Sequence, residues 1–226
     1  MAERKLDFDR EVALQQLPAG VRPAFKALWN LDLAFADVVA TSTDPNLGAI
    51  RLAWWRERLE ELDGSKEPPA EPRLLAVVRE LLPRGVTGSD LSKLEDAWLP
   101  LLETLPRGQR AVDGLKLRGR ILFGAGARLL DWEPIEAEPA GALWSLVDGA
   151  THCSDAHLRI FLLEQAREAI RDLPWSKPPR SARGMTVLTA LAGHEALRNK
   201  PLDIGRDWGR VAVATAHRLR GTFPRG

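Results

Sequence analysis

The sequence predicts an all-α protein, a single-domain bundle of about eight to ten helices over residues 1–226. Apolar residues recur three and four positions apart through most of the chain, the period of a helix with one buried face. No segment alternates polar and apolar residues at period two, and no hairpin signal is present. Clusters of Pro, Gly and Asp fall between the periodic stretches, where helices should end.

Taken in order, Pro18 and Pro23 bracket a short turn. A helix is predicted from about Ala24 to Thr41, where Phe25, Leu28, Trp29, Leu31, Phe35, Val38 and Val39 form a broad apolar stripe. Asp44, Pro45 and Asn46 close it and open a second helix, running from Leu47 to about Leu62. Its apolar positions Leu47, Ile50, Trp54 and Leu59 recur, with arginines between them. The adjacent Trp54 and Trp55 cannot both face one core. So brief a connection joins antiparallel neighbours. Gly64 to Pro72 reads as a loop, followed by a helix from Arg73 to Leu82 and a turn over Pro83 to Gly88. Ser92 and Glu95 have the spacing of a capping box, with Leu94, Trp98 and Leu102 on one face behind it. A longer helix with a glycine-rich middle is expected from Gly108 to Leu130, and another near Gly141 to Asp155. Leu158, Phe161, Leu162, Ala166, Ala169, Ile170 and Leu173 mark an amphipathic helix. Pro174 to Pro179 is a linker, and helices over Ala182 to Leu197 and Ile204 to Leu219 complete the chain.

A content of 45% hydrophobic and 28% charged residues is ordinary for a globular protein, and a net charge of +1 gives no field that would attract nucleic acid. Arginine outnumbers lysine 25 to 7, which suits phosphate recognition but also follows from a GC-rich genome. The single Cys153 leaves no internal disulfide, and the charged N-terminal stretch lacks the apolar core of a secretory signal. No run approaches the roughly 20 apolar residues of a membrane span. The expectation is a cytoplasmic protein, with peripheral contact at the inner membrane left open.

Two segments carry a resemblance. ALWNLDLAFADVVA, residues 27–40, followed by LGAIRLAWWRERLE, residues 47–60, resembles the start of the squalene/phytoene synthase family. The similarity continues to Asp131 through GRILFGAGARLLD and thins beyond it. It implies a helical bundle of the isoprenoid (terpenoid) synthase type. It also implies isoprenoid diphosphate substrates, and magnesium held by aspartates one helical turn apart. A gapless placement puts Ala36, Asp37 and Ala40 on the family's first aspartate pattern, so one carboxylate of three remains. Asp37 is therefore either a weak metal or ligand site or a polar residue on a largely buried helix. The second pattern would fall near Asp148, His152 and Asp155, spaced i, i+4, i+7. Those residues either meet a metal or an anion-bearing partner, or form a solvated face with Asp155 as a helix cap.

Arg51 and Arg56, beside Trp54 and Trp55, either bind a diphosphate or serve the bundle, Arg51 by pairing with Asp32. Gly124 and Gly126 either allow close helix packing or leave room for a prenyl chain. His152 and Cys153 are adjacent in a helix and diverge, which disfavours a dyad. His217, Arg218 and Arg220 read as a solvated basic end. If the cavity is inherited, Phe35, Trp54 or Trp55, Phe123 and Trp144 should line it, with its mouth near Asp37 and Asp148.

The eroded aspartates resemble the divergent branch that includes mitochondrial complex I assembly factors and their bacterial relatives. The resemblance thus implies a catalytically degenerate homologue that binds an isoprenoid-like ligand or serves as an assembly or accessory protein for an isoprenoid or quinone-linked partner. The alternative is an active magnesium-dependent prenyl transferase that condenses isoprenoid diphosphates. A helical interaction module unrelated to isoprenoids is disfavoured by LGAIRLAWWRERLE. Partners from either class, isoprenoid or protein, remain open.

Overall fold

A computed structural model describes residues 6–64, 67–103, 108–173, 176–198 and 208–224. Among these residues every regular element is helical. The helices are α1 (Phe8–Gln16), α2 (Arg22–Thr41), α3 (Pro45–Glu61), α4 (Pro72–Glu80), α5 (Gly88–Ser92) and α6 (Leu94–Trp98). They continue as α7 (Gly108–Arg128), α8 (Pro134–His152), α9 (Ala156–Ala169), α10 (Arg183–Leu197) and α11 (Trp208–Arg220). None of them is long and apolar enough to cross a membrane.

Short polar side chains set where several helices start. Asp44 accepts from the Asn46 amide at 2.8 Å, with Pro45 in the first turn of α3. Glu71 accepts from the amides of Arg73 and Leu74 to open α4. Asp155 accepts from those of His157 and Leu158 to open α9. The predicted capping box at Ser92 does not form. Ser92 is the last residue of α5 and its hydroxyl donates back to the Ser89 carbonyl, while Thr87 caps that helix.

Helices α2 and α3 form an antiparallel hairpin. Near the turn the Arg51 guanidinium donates to the Thr41 and Ser42 hydroxyls, and further along Phe35 meets Trp55 with ring centroids 5.9 Å apart. The face of α3 turned to the core is Gly48, Leu52, Trp55 and Leu59. Each such buried Leu contributes about 1.5–3 kcal/mol. Of the recurring positions Leu47, Ile50, Trp54 and Leu59, the first three are instead exposed, at 59%, 65% and 40%, and only Leu59 is buried. Trp54 leans edge-on against Trp55 at 5.2 Å, so one tryptophan is in the core and its neighbour outside it.

Helices α7 and α8 lie against each other at backbone distance. A Cβ added at Gly119 would sit 2.0 Å from the Gly141 carbonyl oxygen, and one at Gly141 would sit 2.1 Å from that of Gly119. Leu115 packs on Gly149, so numbers rise along one helix as they fall along the other. Gly126 packs on Met185 and Phe25, whereas Gly124 meets only Pro134. Gly119 and Gly126 of α7 thus serve close packing, and Gly124 between them does not.

Two features escaped the sequence reading. The N-terminal stretch forms α1, capped by Asp7 and burying Arg10, Ala13 and then Leu17. Helix α8 begins at Pro134, with Pro139 inside it, and ends at His152, so Asp155 lies beyond its end. The C-terminal helix is seen from Trp208, and the predicted start at Ile204 lies outside the described residues. Arg210 fixes α11 by reaching Glu195 on α10 and Asp9 on α1. His217, fully buried, stands 2.8 Å from the Thr186 hydroxyl of α10 and donates through Nδ1 to the Thr222 carbonyl.

Candidate functional site

Charged side chains converge where α1, α2, α7 and α8 meet. Asp32 of α2 is fully buried, and an ionised carboxylate there must be paired. Arg118 of α7 grips it with two parallel bonds, from Nε to Oδ1 at 2.8 Å and from Nη2 to Oδ2 at 2.6 Å. The Trp98 indole donates to the same carboxylate at 3.2 Å. Through Nη1, Arg118 also donates to Asp148 at 2.7 Å and to the Ser145 hydroxyl at 3.3 Å, both on α8. Arg10 of α1 bonds Asp7 and reaches Asp32 and Asp148 at 3.4 Å each.

Aromatic faces complete the enclosure. The Arg118 guanidinium lies 4.8 Å from the Trp98 ring and 4.9 Å from that of Trp144, and Arg10 lies 5.0 Å from Trp144. Burial would raise the Asp148 pKa, but Arg10 and Arg118 outweigh it and hold the carboxyl below its ordinary range. Burial works against the charge on Arg118 as well, and Asp32 and Asp148 reverse that effect and raise its pKa. Counted at their formal charges, three carboxylates face two guanidiniums in this cluster.

A cavity of about 540 Å³ opens above this cluster. Arg10, Arg118, Asp7 and Asp148 form its floor, Leu33, Ala36, Val39 and Ala40 of α2 one wall, and Leu158 and Leu162 of α9 the opposite side. His152, Cys153 and Ser154 sit at its rim. A second cavity, of about 620 Å³, is lined by Asp37, Val38, Arg51, Trp54, Trp55 and Arg73. Ala36 and Ala40 are one helical turn apart and share the first cavity, while Asp37, one residue further round, borders the second.

The family model for squalene/phytoene synthase matches residues 4–95. Over that segment, less than half of the chain, the protein is similar to the squalene/phytoene synthase family. The match takes in α1 to α5 and the start of α6, while Arg118 and Asp148 lie beyond it. No curated protein and no solved structure matches the chain. The family's fold is all-α and of the terpenoid-synthase type, and the family binds isoprenoid diphosphates.

The magnesium ions that squalene/phytoene synthase chemistry implies do not fit these residues. Each magnesium requires several oxygens in near-octahedral array. On the α2 wall of the first cavity those positions are Ala36 and Ala40. Asp37 faces the other cavity, 3.7 Å from the Arg73 guanidinium. Asp148 does line the first cavity, but its oxygens are engaged by Arg10 and Arg118. Asp155 caps α9, so the expected i, i+4, i+7 face is cut off at His152. Among the described residues no three His, Cys, Asp or Glu side chains are grouped so as to hold a metal.

The other sequence candidates are dispersed. Phe35 packs on Trp55 and Phe123 on Trp144, at 5.6 Å between centroids, both within the filled core. Neither Phe35 nor Phe123 borders the first cavity, Trp144 lies beneath its arginine floor, and Trp54 and Trp55 belong to the second cavity. Arg51 is exposed and bonded to hydroxyls at the α2–α3 turn, and Arg56 pairs with Glu95 of α6 at 2.6 Å. Asp32 does pair with arginine, but with Arg118 and Arg10 rather than Arg51. Arg10 and Arg118 were missed as site residues. The available signal was a charge set in an apolar helix face, Asp32 between Leu28 and Phe35, which requires a buried partner of opposite sign.

Proposed function

We propose that this protein is a catalytically silent squalene/phytoene synthase relative whose first cavity serves as a binding site for an isoprenoid-like ligand. The observation that carries this reading is the α2 wall, where Ala36 and Ala40 line the cavity and the surviving Asp37 faces away from it. A diphosphate leaving group departs only where its developing charge is stabilised, and losing one such group costs about 10²- to 10³-fold in rate. Two alanines at these positions remove two of them. The apolar walls, by contrast, suit a prenyl chain, which gains about 25 cal/mol per Å² on burial without any metal.

The test is a product assay with farnesyl and geranylgeranyl diphosphate plus magnesium. No squalene or phytoene is expected above the protein-free control. Steady product formation that disappears in Asp37→Ala overturns the proposal in favour of an active transferase.

A further inference from the structure

We infer that the first cavity selects an isoprenoid whose head carries no charge, a prenyl alcohol being the simplest, against the corresponding diphosphate. The inference rests on reading this cavity as a ligand site. Three observations carry it.

The first is that the two arginines on the floor are occupied. A guanidinium has five N–H donors. Arg118 commits Nε and Nη2 to Asp32 and Nη1 to Asp148 and Ser145, while Arg10 commits both terminal nitrogens to Asp7, Asp32 and Asp148 and keeps only a solvent-inaccessible Nε unpaired. Both are sandwiched against Trp98 or Trp144, so neither can swing toward a phosphate without breaking a buried ion pair.

The second is the charge balance of the floor. The lining itself is balanced, Asp7 and Asp148 against Arg10 and Arg118, and the buried Asp32 behind it adds a third carboxylate, so an entering diphosphate finds no excess of positive charge in a partly dehydrated site. The alanines at 36 and 40 leave no carboxylate pair through which a divalent cation could supply it.

The third is the polar group left at the rim. His152 is about half exposed, and its Nδ1 donates to the Asp148 carbonyl at 2.9 Å. In the neutral ring Nε2 is then an acceptor, and a hydroxyl can donate to it where a diphosphate oxygen cannot. Leu33, Val39, Leu115, Leu158 and Leu162 give the wall an aliphatic part beside Trp98, Cys153 and Ser154, and the volume of about 540 Å³ is of ligand-site size.

The experiment compares farnesol with farnesyl diphosphate, with and without magnesium, by calorimetric titration and thermal melting of the full chain. Farnesol is expected to bind and raise the melting temperature, with farnesyl diphosphate weaker by about 100-fold or more and indifferent to magnesium. Ala40→Phe, which fills the cavity, is expected to abolish farnesol binding. The smaller Ala36→Leu serves the same purpose should the first variant not fold. Diphosphate binding as tight as farnesol binding, or tightened by magnesium, overturns the selection while leaving the cavity a ligand site. No binding of either compound overturns both this inference and the reading beneath it. Farnesol binding unchanged in both filled variants overturns the assignment to this cavity.

Discussion

Asp32 and Arg118 show how a single buried pair can tie two helices together beside a cavity. Their two parallel bonds join α2 to α7, and both side chains are essentially inaccessible. Removing one partner strands a buried charge, which costs about 3–5 kcal/mol. Arg118→Met should therefore lower the urea midpoint strongly, and Asp32→Ala/Arg118→Ala should lose less than the two single variants summed. Additive losses would show that the pair is not coupled. A second residue-scale prediction concerns acid. Burial lowers the His217 pKa below its ordinary 6.5, opposed by the bond to Thr222 and assisted by Arg183 nearby. The unfolded chain then binds the proton more readily, so stability is full above pH 6.5 and falls as the pH drops below it. Asp148, held below its ordinary 3.8, adds a further loss only below that pH. Denaturation midpoints measured from pH 7.5 to 5 should decline for the parent protein and stay nearly flat for His217→Gln.

At the scale of elements, α7 contains glycines of opposite character. Gly119→Ala would drive a Cβ into the Gly141 carbonyl and force α7 from α8. Overpacking of this kind costs about 1–3 kcal/mol or more. Gly124→Ala, one turn on, meets nothing nearer than 3.8 Å and should stabilise by about 0.5–1 kcal/mol through helix propensity. Thermal melts of the two variants should move in opposite directions, and a shared direction would refute the packing account. From sequence alone a glycine that touches backbone cannot be told from one that touches nothing, since both break no period. The same limit explains α3. Leu47, Ile50, Trp54 and Leu59 recur at helical spacing, yet of these only Leu59 is in the core, where Gly48, Leu52 and Trp55 join it. Either stripe satisfies the period, and only the packing against Phe35 decides between them. Helix α2 was legible because its apolar arc is broad enough to admit one orientation. Helix α1 was not, since nine residues rich in charge have little moment, and its burial comes from α10 and from the pairing of Arg10. The candidate site was half visible. The alanines at 36 and 40 could be counted, but Arg10 and Arg118 come from other helices whose meeting no local pattern announces.

At the scale of the molecule, the ion pairs cross between the matched segment and the remainder. Asp32 needs Arg118, Asp9 needs Arg210, and Leu17 packs against Gly184. A fragment of residues 1–103 should therefore show no cooperative unfolding transition by circular dichroism, whereas the full chain should unfold in one. A sharp, reversible transition in the fragment would identify an independent N-terminal unit. The stacking of Trp98 and Trp144 on arginine has an optical consequence. The chain contains eight tryptophans and no tyrosine, so its absorption at 280 nm and the emission excited there come from indole. Trp208 and Trp54 face solvent and emit at long wavelength whatever the cavity holds. Trp98 borders the cavity with a cation across its ring, and an apolar molecule entering there changes the polarity at one face of that indole. Occupancy can then be followed as a blue shift in the unlabelled protein, and a Trp98→Phe chain should be blind to the same ligand.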